Sequence, residues 1–318
     1  LEPARSLMGK IRCVDIGIPE AVVAAHDTGL RVNGPGEWAH ALPRRTAQGH
    51  KYSHGHALVL GGGATATGAA SMAAIAAGRT GAGLVTVPAP REALPIYAGH
   101  AAPLLTRPLE NATDLEHLLE DRRFTAILVG PAFGLGRHTL AVLERVLAAR
   151  LPCVLDADAL TALGRSDPPI DQRQLPASTV LTPHDGEYAR LFPFGGDRLD
   201  RARQAAACAG CVVLLKGADT VVAAPDGRAR INAAAPANLA AAGTGDVLAG
   251  MIVGLMARGM PSYDAAAAAA WLHARAAERC PKPLSRAGSR SSSMRCRMVE
   301  RPCGGPARGR RDTTCALG

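Results

Sequence analysis

From Ala57 onward the chain repeats one unit: a short run of apolar residues without polar alternation, a turn holding Gly, Pro or Asp, then a helix-forming stretch. The runs are ALVLGG (57–62), GLVTVPAP (83–90), AILVG (126–130), PCVLDADAL (152–160), STVLTPH (178–184) and CVVLLKG (211–217). Strands that are apolar on both faces must be covered on both faces, which demands helices on either side of a mostly parallel sheet. Helices are predicted over 68–80, 138–149, 245–258 and 264–279. TVVAAP (220–225) predicts a strand returning from CVVLLKG as a hairpin at Ala218-Asp219. GKIRCVDIGI (9–18) predicts one more strand, stopped by Pro19, and residues 19–50 are weakly patterned. The fold class is α/β, a three-layer αβα arrangement around a mostly parallel central sheet.

Apolar residues make up 47% of the 318, enough to fill such a core. Aromatics at 3% argue against a stacking platform for single-stranded nucleic acid. The net charge of +9 suggests a polyanion partner until its position is considered. Residues 281–318 hold nine basic residues against two acidic, a surplus of seven, so the preceding 280 residues carry only +2. That segment is Arg, Ser, Gly and Pro without apolar period and is expected to be disordered, with no packed structure to resist proteolysis. The expectation for the whole chain is therefore no nucleic-acid partner. The charge-free stretch 57–78 is too rich in Gly, Ala and Thr for a membrane span, and residues 1–12 contain no apolar run of the signal-peptide kind. No membrane association and a cytoplasmic location are expected. Cys208 and Cys211 spell CxxC without a second pair at zinc-site spacing, and a structural role is the expectation.

In open α/β sheets ligands bind beyond the carboxyl ends of the strands. Ala242-Gly243-Thr244-Gly245-Asp246 opens a helix there, and glycines with a helix N-terminus make an anion cradle suited to phosphoryl oxygens. Asp246 is either a base for an attacking hydroxyl or an ordinary N-cap. Lys216-Gly217-Ala218-Asp219-Thr220 ends an apolar strand, as a nucleotide-contacting loop or a simple turn. His184, in Thr182-Pro183-His184 with Glu187 three residues on, is a ligand-binding or structural histidine. Asp156 and Asp158 alternate at a strand end, where they could hold Mg²⁺ through water, orient hydroxyls or cap a turn. Gly61-Gly62-Gly63 lacks the dinucleotide spacing, and no acidic residue ends the next strand, which excludes a Rossmann dehydrogenase.

Eight blocks in order resemble the ADP-dependent NAD(P)H-hydrate dehydratase family, a branch of the ribokinase-like superfamily: 50–63, TGAA (67–70), RTGAGLVTV (79–87), VGPAFG (129–134), VLDADAL (154–160), LTPHDGEYARL (181–191), LLKGADTVVAAPDG (214–227) and LAAAGTGDVLAG (239–250), followed by WLHARAAE (271–278). GPAFG departs from the usual GPGLG of the family, so Ala132 and Phe133 are expected to narrow the floor of the substrate site. Residues 9–21 resemble the last strand of the NAD(P)H-hydrate epimerase domain that often precedes this one. The expected organisation is 1–46 as the remnant of that domain and a linker, 47–280 as the dehydratase domain, and 281–318 as an Arg-rich tail of the kind a reading-frame shift near residue 280 would produce. The chain is thus expected to be the C-terminal part of a two-domain repair enzyme.

The resemblance implies dehydration of (6S)-NAD(P)HX, with ADP phosphorylating the hydroxyl and loss of phosphate restoring NAD(P)H. It implies Asp246 as catalytic base with the Gly243 and Gly245 amides facing the phosphoryl group. It implies Ala69, Gly134, His184 and Asp246 as substrate contacts, and Lys216, Gly217, Ala218, Asp219, Thr220 and Gly245 around the nucleotide. Mg²⁺, ADP as co-substrate, a homo-oligomer such as a tetramer, and an epimerase domain in the full-length chain are further implications. Two other readings share parts of these features. A sugar, hydroxymethylpyrimidine or thiazole kinase of the same superfamily would share GTGD. A nucleic-acid binder acting through the basic tail would share only the charge.

Overall fold

The central strands are buried along their whole length, which is why none of them alternates polar with apolar residues. The computed structural model describes residues 7–9, 12, 14–43, 54–101, 103–233 and 236–279. The strands are β1 (Leu30–Val32), β2 (His56–Val59), β3 (Leu84–Ala89), β4 (Leu104–Pro108), β5 (Ala126–Val129), β6 (Cys153–Leu155), β7 (Thr179–Leu181), β8 (Val212–Leu215), β9 (Val221–Ala223) and β10 (Ala229–Ile231). They form one sheet in the order β1-β10-β9-β8-β7-β6-β5-β2-β3-β4. Only β9 opposes its neighbours, pairing antiparallel with both β8 and β10. The strand order reverses between β2 and β5, so a ligand crevice is expected where the loops after those strands diverge.

The helices are α1 (Glu20–Ala25), α2 (Pro35–Trp38), α3 (Thr67–Thr80), α4 (Leu94–His100), α5 (Ala112–Leu119), α6 (Arg137–Ala148), α7 (Ala157–Leu163), α8 (Asp185–Leu191), α9 (Arg198–Ala209), α10 (Thr244–Ala257) and α11 (Ser262–Arg279). Two apolar clusters divide them. On one face α3, α10 and α11 cover Ala57, Val59, Ala126, Leu128 and Val154. On the other, α6, α7, α8 and α9 cover Leu58, Ile127, Val129 and Leu155. This is the expected three-layer α/β fold.

The small residues of α3 and α10 set their separation. A Cβ on Gly250 would lie 2.1 Å from the Ala73 carbonyl oxygen, and one on Gly254 would lie 2.5 Å from that of Ala77. The stretch 57–78, which mimics a span by lack of charge, is β2, a turn and α3; among the described residues no helix is long and apolar enough to cross a membrane.

One sequence expectation needs correction. The described residues 14–18 form no strand, and Val14 and Ile16 stand exposed, because no strand edge lies beside them to take up their hydrogen bonds. Among the described residues the first strand of the sheet is β1, parallel to β10, and Trp38 is buried edge-on against Trp271. The structural reading of CxxC holds: Cys211 is buried at the entry to β8, and burial raises its thiol pKa. The Arg-rich tail lies outside the described residues.

Candidate active site

The anion cradle is built where the loop 236–242 enters α10. Gly243 takes φ 86°, a left-handed conformation that favours glycine. The Thr244 hydroxyl fastens the turn to the carbonyls of Leu239 and Ala241, both at 2.8 Å. The Thr244 and Val247 amides reach Ala241 and Gly243, whereas those of Gly245 and Asp246 have no backbone acceptor among the described residues. These are the free donors of a helix start, and they suit an anion. The helix is capped by Gly243 without a side-chain hydrogen bond, so Asp246, two residues into the helix from Thr244, is not its N-cap.

Lys216 faces this cradle from the end of β8. Its Nζ donates to Asp156 Oδ1 at 2.8 Å and lies 3.7 Å from Glu187 Oε2. Burial would depress the Lys216 pKa, but Asp156 and Glu187 outweigh it and raise the pKa, so the ammonium stays charged. Asp246 is pushed up to about 6 by burial and by the Asp156 carboxylate, against the opposing pull of Lys216. A carboxylate poised near 6 beside open amides and a fixed ammonium is suited to take a proton from a hydroxyl while a phosphoryl group is held.

Glu187 and His184 are organised by the start of α8. His184 Nδ1 accepts from the amides of Gly186 and Glu187 at 3.0 and 3.2 Å, and Glu187 Oε2 accepts from the His184 amide at 2.9 Å. Nδ1 therefore carries the lone pair and the exposed edge of the ring carries Nε2. Asp158 turns the other way from Asp156 and accepts the Gly134 amide at 2.9 Å, so these two aspartates do not share a ligand. The GPAFG turn is backbone-crowded: a Cβ on Gly130 would lie 1.7 Å from the Asp156 carbonyl oxygen, and one on Gly62 would lie 2.0 Å from that of Ala132. Ala132 and Ala157 take φ 52° and 48°, so two non-glycine residues sit in left-handed backbone beside the site. Phe133 stacks on His138 at 5.7 Å.

The KGADT turn is braced from α9. Arg198 donates to the Lys216 carbonyl at 2.9 Å and pairs with Asp219 at 3.1 Å and Asp185 at 2.9 Å. A Cβ on Gly217 would meet the guanidinium carbon at 2.6 Å. Thr220 donates to the Gly217 carbonyl. Between this turn and the cradle lies a cleft of about 380 Å³, bounded by Lys216, Gly217, Ala218, Thr220, Thr244, Gly245 and Leu248, with Pro236, Ala237, Leu239, Ala240 and His273 closing it.

Lys216, Gly217, Ala218, Thr220 and Gly245 are thus brought to one cavity, and Asp246 is coupled electrostatically to Lys216 and Asp156 at its edge. Asp219 is not among the lining residues; its carboxylate braces Arg198. Ala69 and Gly134 do not line the cleft. Ala69 sits in the first turn of α3, one turn before Met72, whose methyl group would lie 2.5 Å from a Cβ on Gly243. Sequence reasoning missed Arg198, for which spacing offered no signal, gave His273 no role although it lies in the WLHARAAE block, and saw Glu187 without its contact to Lys216.

An αβα sheet with an anion-cradling helix start and a braced turn on one cleft at its carboxyl edge defines a protein of the ribokinase-like class. A ribokinase-like superfamily protein of Enterococcus faecalis superposes on 79% of the chain and 88% of its own, with TM-score 0.70 and 26% identity. Within that class the chain belongs to the NAD(P)H-hydrate dehydratase family, whose model (Carb_kinase: NAD(P)H-hydrate dehydratase) matches residues 57–297. The ADP-dependent (S)-NAD(P)H-hydrate dehydratase of Neisseria meningitidis is 36% identical over 75% of the chain and 81% of its own length. The bifunctional NAD(P)H-hydrate repair enzyme Nnr of Moorella thermoacetica is 38% identical over 87% of the chain, which spans 55% of that relative. The Bacillus subtilis ADP/ATP-dependent NAD(P)H-hydrate dehydratase, co-crystallised with ATP/Mg²⁺, superposes with TM-score 0.66 and 29% identity, covering 78% of this chain and 88% of that one.

Proposed function

We propose that this chain dehydrates (6S)-NAD(P)HX to NAD(P)H at the expense of ADP, releasing AMP and phosphate. The observation that carries this reading is the meeting, at one cleft, of the open Gly245 and Asp246 amides, the charged Lys216, and an Asp246 carboxylate that neither caps its helix nor closes an ion pair among the described residues. The adenylate moiety of ADP occupies the cleft beside KGADT. The terminal phosphoryl group rests on the cradle, where amides and ammonium stabilise the charge of transfer. Asp246 takes the proton of the hydrate's hydroxyl as its oxygen attacks the terminal phosphorus and AMP leaves. The carbon–oxygen bond then breaks, the ring nitrogen supplying electrons, phosphate departs and the neighbouring carbon loses a proton to restore the dihydronicotinamide. The substrate contacts are Ala69 in the first turn of α3, Gly134, His184 at the start of α8, and Asp246.

Mg²⁺ belongs to this reading as a companion of the nucleotide. Among the described residues no cluster of three or more His, Cys, Asp or Glu is arranged to hold a metal, and Asp156 is already paired with Lys216. Asp156 and Asp246, the carboxylates coupled to Lys216 beside the cradle, would meet an ion that keeps its waters and phosphate oxygens. Such an ion would neutralise phosphate charge.

We further infer a cytoplasmic homo-oligomer, tetrameric as one form, with an epimerase domain in the full-length chain; the buried thiols of Cys153 and Cys211 support the location, and the bifunctional relatives support the epimerase domain. The boundaries 47–280 and the frame-shifted tail stand as proposals beside it. The test is recovery of dihydronicotinamide absorbance from purified NADHX with ADP. A ribokinase-like small-molecule kinase would instead leave NADHX untouched and phosphorylate a sugar or pyrimidine alcohol.

A further inference from the structure

The cleft holds few polar side chains, and nearly all of them are already engaged. Thr220 is bonded to the Gly217 carbonyl, Thr244 to the carbonyls of Leu239 and Ala241, and Lys216 to Asp156. His273 is different. It lies on α11, lines the same cleft, and among the described residues makes no hydrogen bond, ion pair or ring contact. Alpha11 comes after α10 and packs along it, and the Asn238 side chain bonds to the Ala277 carbonyl at 3.2 Å, so this end of α11 meets the loop that enters the cradle. The remaining lining residues are apolar, among them Pro236, Ala237, Leu239 and Leu248.

A ligand in this cleft therefore meets two chemistries. Lys216 Nζ, which would lie 3.6 Å from a Cβ on Gly245, takes charge. His273, from α11, brings one uncommitted donor–acceptor ring to a lining that is otherwise largely apolar. A nucleoside diphosphate has the same polarity, anionic at one end and a flat, hydrogen-bonding heterocycle at the other. We propose that His273 is a nucleobase-binding residue, hydrogen-bonding the edge of the base whose diphosphate is held at the cradle. This rests on the nucleotide reading of the site given above.

The surroundings keep the ring suited to that task. Burial pushes His273 down to about 4, so at neutral pH it is an uncharged imidazole with one donor and one acceptor nitrogen. A cation there would be desolvated without a counter-charge. A neutral ring can instead accept from an exocyclic amino group or donate to a ring nitrogen of the base.

The experiment measures ADP and inorganic pyrophosphate binding by calorimetry on the full chain and on His273→Phe and His273→Gln. Phe keeps a flat ring without hydrogen bonds, and Gln restores a donor and an acceptor. The expected result is ADP affinity about five- to tenfold weaker in His273→Phe and partly recovered in His273→Gln, with pyrophosphate affinity unchanged in both. On ADP addition the His273 ring signals of the wild type should shift in NMR spectra. Unchanged ADP affinity in His273→Phe, or equal loss of ADP and pyrophosphate, overturns the assignment. Wild-type protein that binds pyrophosphate but no ADP overturns the nucleotide reading itself, and the assignment with it.

Discussion

Deprotonating Asp246 in the folded chain costs free energy, because burial and the Asp156 carboxylate both oppose its charge. Its folded pKa, about 6, lies above the ordinary aspartate value, so the stability it contributes is present below the ordinary carboxylate range and is lost as pH rises through about 6. Activity runs the opposite way, since a base must be unprotonated. Turnover should rise with pH through about 6, and Asp246→Asn should lose about 10²–10⁴ in turnover. The same substitution should melt higher than wild type at neutral pH, with the difference vanishing in acid. A variant equally slow but several degrees less stable would return Asp246 to a structural role. Lys216→Met tests the neighbour: it removes the cation that Asp156 and Glu187 surround. ADP affinity should fall more than affinity for the hydrate, as measured by separate titrations, whereas equal loss of both would indicate misfolding.

Close-packed elements carry these residues, and the spacing between elements is as exacting as the chemistry. Gly250→Ala would drive a methyl group into the Ala73 carbonyl, a backbone atom that cannot swing aside. Overpacking of this kind costs about 1–3 kcal/mol, and the melting temperature should fall accordingly. Arg198→Ala leaves the core untouched but frees the KGADT turn from α9. It should weaken ADP binding while leaving the melting temperature within a few degrees. The central strands were legible in the sequence because β2, β5, β6, β7 and β8 are buried on both faces and read as unbroken apolar runs. By contrast β1, β4 and β10 were not, since β1 and β4 lie at the exposed edges of the sheet and the three strands carry Arg31, Arg107 and Arg230. The cradle and the KGADT turn were legible as glycine-bearing motifs at strand and helix ends. Arg198 reaches the turn only because α9 folds back beside β8, and His273 reaches the cleft only because α11 packs along α10, contacts that no local spacing encodes.

At the scale of the whole molecule, the sheet order explains why these distant segments share one edge. Parallel strands deliver the ends of β2, β5, β6, β7 and β8 to the same side, and α10 starts there with its amides open. In the proposed reading, phosphoryl transfer at that edge is followed by elimination, so nucleotide cleavage and dihydronicotinamide recovery proceed together. The most direct measurement follows AMP, phosphate and NADH simultaneously, by chromatography and absorbance, after ADP is added to the protein with purified (6S)-NADHX. All three should appear in equal amounts, at the same rate, and none should appear with Asp246→Asn on the same timescale. A phosphorylated product that persists without NADH, or NADH recovered without consumption of ADP, would contradict that reading.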